Sequence, residues 1–139
     1  MDYGVTSIKV IYKKSLKTLK NKSKKIFIND LRRGYPSLKF LMERENMREK
    51  AIEKKLVQEV KVVGGIAPKF TSPGFDGMPD RIVLLPGGHM GFVEAKAPGE
   101  KPRPLQLARH RLLRGLGFRV YVLDDERQIG GILDEIQTT

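Results

Sequence analysis

From Met47 onward the apolar positions of this chain fall into alternating helical and extended periods. Arg48 to Val63 places Ile52, Leu56, Val57, Val60 and Val63 on one side of a helix, an arc of about 140° at about 100° per residue. Gly64-Gly65 is a natural stop for it. Ile66 to Thr71 reads as a short strand, followed by the turn-rich segment Ser72-Pro73-Gly74-Phe75-Asp76-Gly77-Met78-Pro79. Arg81–Leu85 and Phe92–Ala97 are two strands around Pro86-Gly87-Gly88-His89, the pattern of a hairpin. After a loop with three prolines (Pro98–Pro104), Leu105–Leu116 is a second helix with Leu105, Ala108, Leu112, Leu113 and Leu116 on one face. Phe118–Leu123 is an apolar strand, and Ile129, Ile132, Leu133 and Ile136 predict a last short helix. The order is α-β-β-β-α-β with a final α, an α/β class with a mixed sheet flanked by helices.

The first third of the chain has a different character. Residues 1–46 hold 12 Lys+Arg against 4 Asp+Glu, so a surplus of eight of the total +11 sits in them. They show no strong period: Tyr3–Tyr12 alternates loosely, Ser15–Lys25 is polar, and Ile26–Met42 is interrupted by Gly34 and Pro36. Two domains are therefore expected: a basic extension over 1–46, ordered on a partner if at all, and a patterned domain over 47–139. A working start at Met47 is a second reading of the same composition.

Composition narrows the function classes. The 40% hydrophobic content supports a core. The absence of Cys removes disulfides, thiolate zinc sites and a cysteine nucleophile. Lys9, Lys13 and Lys14 interrupt the apolar N-terminal run, so neither a membrane span nor a signal peptide is readable, and an intracellular, cytoplasmic protein without a membrane partner is expected. A charge of +11 suits a polyanion, nucleic acid above all.

The chemistry lies where charged residues break the strand pattern. Glu94 and Lys96 are two apart and share one face of their strand, and Asp80 opens the partner strand. Register decides whether the two acids meet. With Leu85 opposite Met90, Asp80 points away; with Leu85 opposite His89, position 80 opposes 94 and the carboxylates converge. Converging carboxylates without thiol or imidazole suit a hard cation, magnesium or manganese, and a neighbouring lysine can orient a water. A solvated Glu94–Lys96 surface pair is the bland alternative. On the first helix Glu53 lies inside the apolar arc, between Val60 and Val57, and Glu49 one turn earlier competes with it. On the second helix Gln106 and His110 flank the apolar stripe one turn apart. Lys101, Arg103, Arg109, Arg111 and Arg114 form a basic cluster that either grips a DNA backbone or is simply solvated.

Gly77-Met78-Pro79-Asp80-Arg81 followed by Phe92-Val93-Glu94-Ala95-Lys96 resembles the Pro-Asp…(Asp/Glu)-X-Lys signature of restriction-endonuclease-like nucleases. The wider pattern over roughly 47–125 resembles the VRR-NUC domain: Glu53 on an acidic helix, Gly64-Gly65, Lys69, the glycine hairpin, and Gln106 opening the next helix. The resemblance implies a restriction-endonuclease-like fold and a Mg2+- or Mn2+-dependent DNA endonuclease with no organic cofactor. By analogy Asp80, Glu94 and the Ala95 carbonyl hold the metal, Glu53 supports it or its waters, Lys96 orients or activates the attacking water, and Gln106 aligns Lys96 or the scissile phosphate. Lys69 then lies beside the active site, where it contacts phosphate. Stand-alone relatives of this kind are similar to Holliday-junction resolvases, implying a homodimer on branched DNA. A non-catalytic DNA-binding subunit and a ribonuclease are the competing readings.

Overall fold

In the computed structural model, residues 28–29, 33–34 and 36–139 are described; the loose alternation expected over Tyr3–Tyr12 and the polar stretch Ser15–Lys25 lie outside them. The chain divides into two units, Met1–Glu45 and Asn46–Thr139, and the second carries the sheet. Its elements are the latter part of helix α1 (Pro36–Val62), strands β1 (Arg81–Leu85) and β2 (His89–Ala95), helix α2 (Pro104–Gly115), strand β3 (Val120–Leu123), a 3-10 turn (Glu126–Gln128) and helix α3 (Ile129–Gln137).

The sheet order is β1-β2-β3. β1 and β2 are an antiparallel hairpin, and β2 and β3 are parallel. A parallel neighbour needs a crossover, and α2 supplies it. The expected strand at Ile66–Thr71 is reduced to two isolated bridges, Ile66 to Leu84 and Lys69 to Arg81. Lys69 follows Pro68, whose missing N–H breaks any continuous ladder there.

Period-two alternation sorts the strand residues onto two faces. Val83, Leu85, Val93 and Leu123 pack against Ile52, Leu56 and Val60 of α1 and against Ile129, Ile132, Leu133 and Ile136 of α3. Phe92 and Val120 face the other way, onto Leu113 of α2, with Phe70, Met78, Ile82 and Met90 around them. Phe92 meets Phe70 and Phe118 edge-on, each ring pair at 5.9 Å. The first cluster has twelve buried apolar residues and the second has three, so the α1/α3 face carries most of the hydrophobic stabilisation.

Helix α2 departs from the expected packing. Its buried residues are Gln106, His110 and Leu113, while Leu105, Leu112 and Leu116 are 47%, 45% and 66% exposed. The stripe expected to form the inner face is mostly the outer one. Helical periodicity marks an apolar side but does not say which side meets the sheet, and here the sheet offers Glu94 as a partner for polar groups.

The hairpin settles the register left open by the sequence. Leu85 pairs with His89 across the three-residue loop Pro86-Gly87-Gly88. Both glycines are left-handed, with φ of 87° and 82°, a conformation in which a Cβ is strained. The same register carries on to place position 80 opposite 94.

Candidate active site

Asp80 sits just ahead of β1, at the end of the hairpin away from its loop. Its Oδ2 accepts the Ala95 N–H at 3.1 Å, and its carbonyl accepts the Phe70 N–H at 2.7 Å. The loop before it is clamped by α2. Arg109 Nε donates to the Asp76 carbonyl at 2.9 Å, and the same guanidinium lies 3.9 Å from the centre of the Phe75 ring, a cation–π geometry. Gly77 is left-handed at φ 87°, and a Cβ there would come within 2.8 Å of Leu105 Cγ. The loop that presents Asp80 therefore requires glycine at this point.

Glu94 is fully buried on β2, facing α2. Lys96 Nζ lies 2.7 Å from its Oε1, and Gln106 Nε2 donates to the same oxygen. Gln106 Oε1 accepts the Arg103 N–H at 2.8 Å, so the opening of α2 fixes the orientation of this amide and turns its donor toward Glu94. Oε2 of Glu94 faces His110 Nε2 at 3.9 Å, an electrostatic contact longer than a hydrogen bond. Burial pushes Glu94 up, but His110, Lys96 and Asp80 together outweigh it and hold the carboxyl below its usual value. Asp80 moves oppositely: burial first, then the Glu94 charge, push it up to about 6. Between these neighbours, Asp80 keeps a proton longer.

The α1 carboxylates approach from the other face. Glu53 is buried and accepts from Arg81, with Nη2 at 2.9 Å and Nε at 3.3 Å. Arg81 Nη1 also donates to the Ala67 carbonyl at 2.6 Å. Lys69 Nζ lies 3.6 Å from Glu53 Oε2. Glu49, one turn earlier, offers an oxygen that lies with one from Glu53 and one from Asp80 in a group spanning no more than 4.8 Å. Burial pushes Glu49 up against the pull of Lys96, and the Glu53 and Glu94 charges add to the rise.

The candidate metal ligands thus divide into two sets. Asp80 and Glu53 meet, with Glu49 as the third member. Glu94 and Ala95 adjoin Asp80 from β2, Glu94 through its charge and Ala95 through its N–H. An all-carboxylate set suits a hard divalent cation, and the buried Oε2 of Glu94, without a hydrogen-bond partner among the described residues, is a further oxygen of the right kind. Magnesium or manganese fits this donor set.

The basic candidates are spread around the site. Lys101, Arg103 and Arg111 are exposed. The Lys69 side chain is 68% exposed. Arg114 is exposed too, yet its Nη2 donates to the Val120 carbonyl at 2.7 Å, which ties it to the start of β3. Sequence reasoning did not single out Arg81 as the partner of Glu53. The available signal is its odd position on β1, shared with Val83 and Leu85, which turns it toward α1.

No family model matches the chain. It is 59% identical over 80 residues to a protein of Acyrthosiphon pisum secondary endosymbiont phage 1 named "Putative nuclease p44", covering 58% of this chain and 86% of that relative. A solved structure described as a VRR_NUC domain is similar with a TM-score of 0.59 and 32% identity, covering 63% of this chain and 95% of that one. Together with the restriction-endonuclease-like sheet and the intact Asp80, Glu94 and Lys96, these likenesses establish that the chain belongs to the VRR-NUC nucleases.

Proposed function

We propose that this nuclease is a Mg2+- or Mn2+-dependent DNA endonuclease, selective for branched DNA such as Holliday junctions and active as a homodimer. Its catalytic domain is 47–139 and residues 1–46 are a basic extension. The carrying observation is the convergence of Glu49, Glu53 and Asp80 within 4.8 Å, next to a lysine held at 2.7 Å on a buried glutamate. A structural core gains little from that arrangement, because crowded, part-buried carboxylates repel one another unless positive charge offsets them, and Arg81 and Lys69 reach only Glu53.

In this reading Asp80, Glu53 and Glu94 hold the ion, with Glu49 and the Ala95 carbonyl beside them. When bound, the cation polarises a phosphoryl oxygen and steadies the charge of the leaving group. Lys96 orients the attacking water and stabilises its deprotonated form, and its own place is set by Glu94. Gln106 aligns Lys96 through the oxygen they share. Lys69, Lys101, Arg103, Arg111 and Arg114 contact backbone phosphates, which supplies affinity without reading base sequence. The exposed leucines of α2 support a homodimer: an apolar helix face left uncovered among the described residues is a surface for a second copy. The phage origin of the similar protein supports action in the cytoplasm of a bacterial or phage-infected cell.

Labelled duplex, flap and four-way-junction DNA, incubated with and without Mg2+ or Mn2+, tests the reading. The expected result is metal-dependent internal cleavage, strongest on the junction, by a species sedimenting as a dimer. Cleavage persisting in excess chelator removes the metal, and equal rates on all substrates remove the structural selectivity.

A further inference from the structure

Three polar atoms in the interior of the α2 face are held by no hydrogen bond among the described residues. They are Oε2 of Glu94 and the two ring nitrogens of His110, each buried and without a hydrogen-bond partner among the described residues. His110 is 0% exposed, so water in bulk cannot satisfy its imidazole. An orphaned buried donor or acceptor has lost its water without replacement, and such groups in a native protein call for a reason.

The orphans face each other. His110 Nε2 is 3.9 Å from Glu94 Oε2, and a movement of about 1 Å brings the pair to hydrogen-bond length. The chemistry is complementary in one arrangement only. A carboxylate accepts and does not donate, so Nε2 must carry the hydrogen. The other oxygen of Glu94 is already shared by Lys96 and Gln106. Gln106 and His110 stand one helical turn apart on α2 and approach the two oxygens of one carboxylate separately, which makes α2 a two-point clamp on Glu94.

We propose that His110 is a positioning residue for Glu94: its Nε2–H holds Oε2, fixes the plane of the carboxylate, and thereby fixes Lys96 and the oxygen offered to the cation. This rests on the metal-dependent reading of the site. A carboxylate oxygen has two lone-pair directions, so accepting from His110 leaves Oε2 able to bind a cation as well. Hydrogen-bond partners that orient a metal-binding carboxylate typically change metal affinity or activity by about 10- to 100-fold when removed.

Two measurements test this on the full chain. Long-range 1H–15N correlation spectra of the wild-type protein locate the imidazole hydrogens. A hydrogen on Nε2 is the expected result, and a bare Nε2 with the hydrogen on Nδ1 overturns the proposal without any variant or metal. Mn2+ titration calorimetry is then run on wild type, His110→Leu and His110→Gln, each checked by circular dichroism and thermal melting. His110→Leu should weaken Mn2+ binding about 10- to 100-fold and lower kcat with little change in KM for DNA. His110→Gln, whose amide places a donor near the lost Nε2, should recover most of that loss. Unchanged Mn2+ affinity in His110→Leu, or an equal loss in both folded variants, overturns the role. If wild type itself binds no Mn2+, the metal reading of the site fails, and the position of the imidazole hydrogen still decides whether the His110–Glu94 clamp exists.

Discussion

The two faces of the sheet obey different rules. Toward α1 and α3 the strands present Val83, Leu85, Val93 and Leu123, and the helices answer with Leu, Ile and Val. Toward α2 only Phe92, Val120 and Leu113 form a small buried apolar cluster, and the remaining buried positions of the helix are Gln106 and His110. α2 and its C-cap also turn Leu105, Leu107, Leu112 and Leu116 outward. One face holds the domain together by burying hydrocarbon, whereas the other uses its interior to hold a glutamate and a lysine in place. Hydrocarbon packing and the buried polar network thus lie on opposite sides of the same strands, and they meet at one end, where Asp80 lies close to the carboxylates of α1 and to Glu94.

That division can be tested by substitution. The largest effect falls on activity: Asp80→Ala or Lys96→Ala should lower the rate of phosphodiester cleavage by at least about 100- to 1,000-fold, measured as single-turnover rates, with far-UV circular dichroism unchanged. Wild-type rates in either variant would break the assignment of the polar side. On the apolar side, Leu56→Ala removes a fully buried side chain and should cost about 2–5 kcal/mol in urea unfolding, while cleavage by the fraction that remains folded persists.

A third effect has the opposite sign. Asp80 is pushed up to about 6 in the folded protein, from an ordinary value of 3.8. The fold therefore favours its protonated form, and the stability associated with it, complete below about pH 4, is lost as pH rises through 6. In the absence of divalent ions Asp80→Asn should stabilise the protein at pH 7 by about 1–3 kcal/mol, with the advantage gone at pH 4. Mg2+ should reverse the ranking by raising the Tm of wild type alone. A destabilised Asn variant at pH 7 without metal contradicts the electrostatic account.

The smallest effect belongs to the outer surface of α2. Leu116→Ser changes a residue that is 66% exposed, so monomer stability should shift by less than about 0.5 kcal/mol. Sedimentation equilibrium on the same variant reports whether this surface joins two copies.

Much of this was legible in the chain. The hairpin followed from Pro86-Gly87-Gly88-His89, of which His89 proves to open the second strand, and the closing helix from Ile129, Ile132, Leu133 and Ile136. Position 53 inside the apolar arc of α1 announced a buried acid, and Glu53 is one. The α2 stripe misled, because an apolar arc on a short helix states where hydrocarbon is and not what the sheet places opposite it. No local pattern marks the Arg81–Glu53 pair, because its members lie 28 residues apart in sequence. The strand expected at 66–71 does not form, since β-favouring residues near Pro68 reach only isolated bridges.

By itself the sequence determined the order of the helices and of the hairpin and closing strand, and the residue types present, because these follow from local backbone preference and from side-chain chemistry. Tertiary structure decided which of those residues meet. Pairing Leu85 with His89 set Asp80 opposite Glu94, the crossover through α2 delivered Gln106 and His110 to the far side of that carboxylate, and packing of α1 brought Glu49 and Glu53 within reach of Asp80. Each is a contact between residues distant along the chain, and a period of 2 or 3.6 carries no information about its neighbour across space.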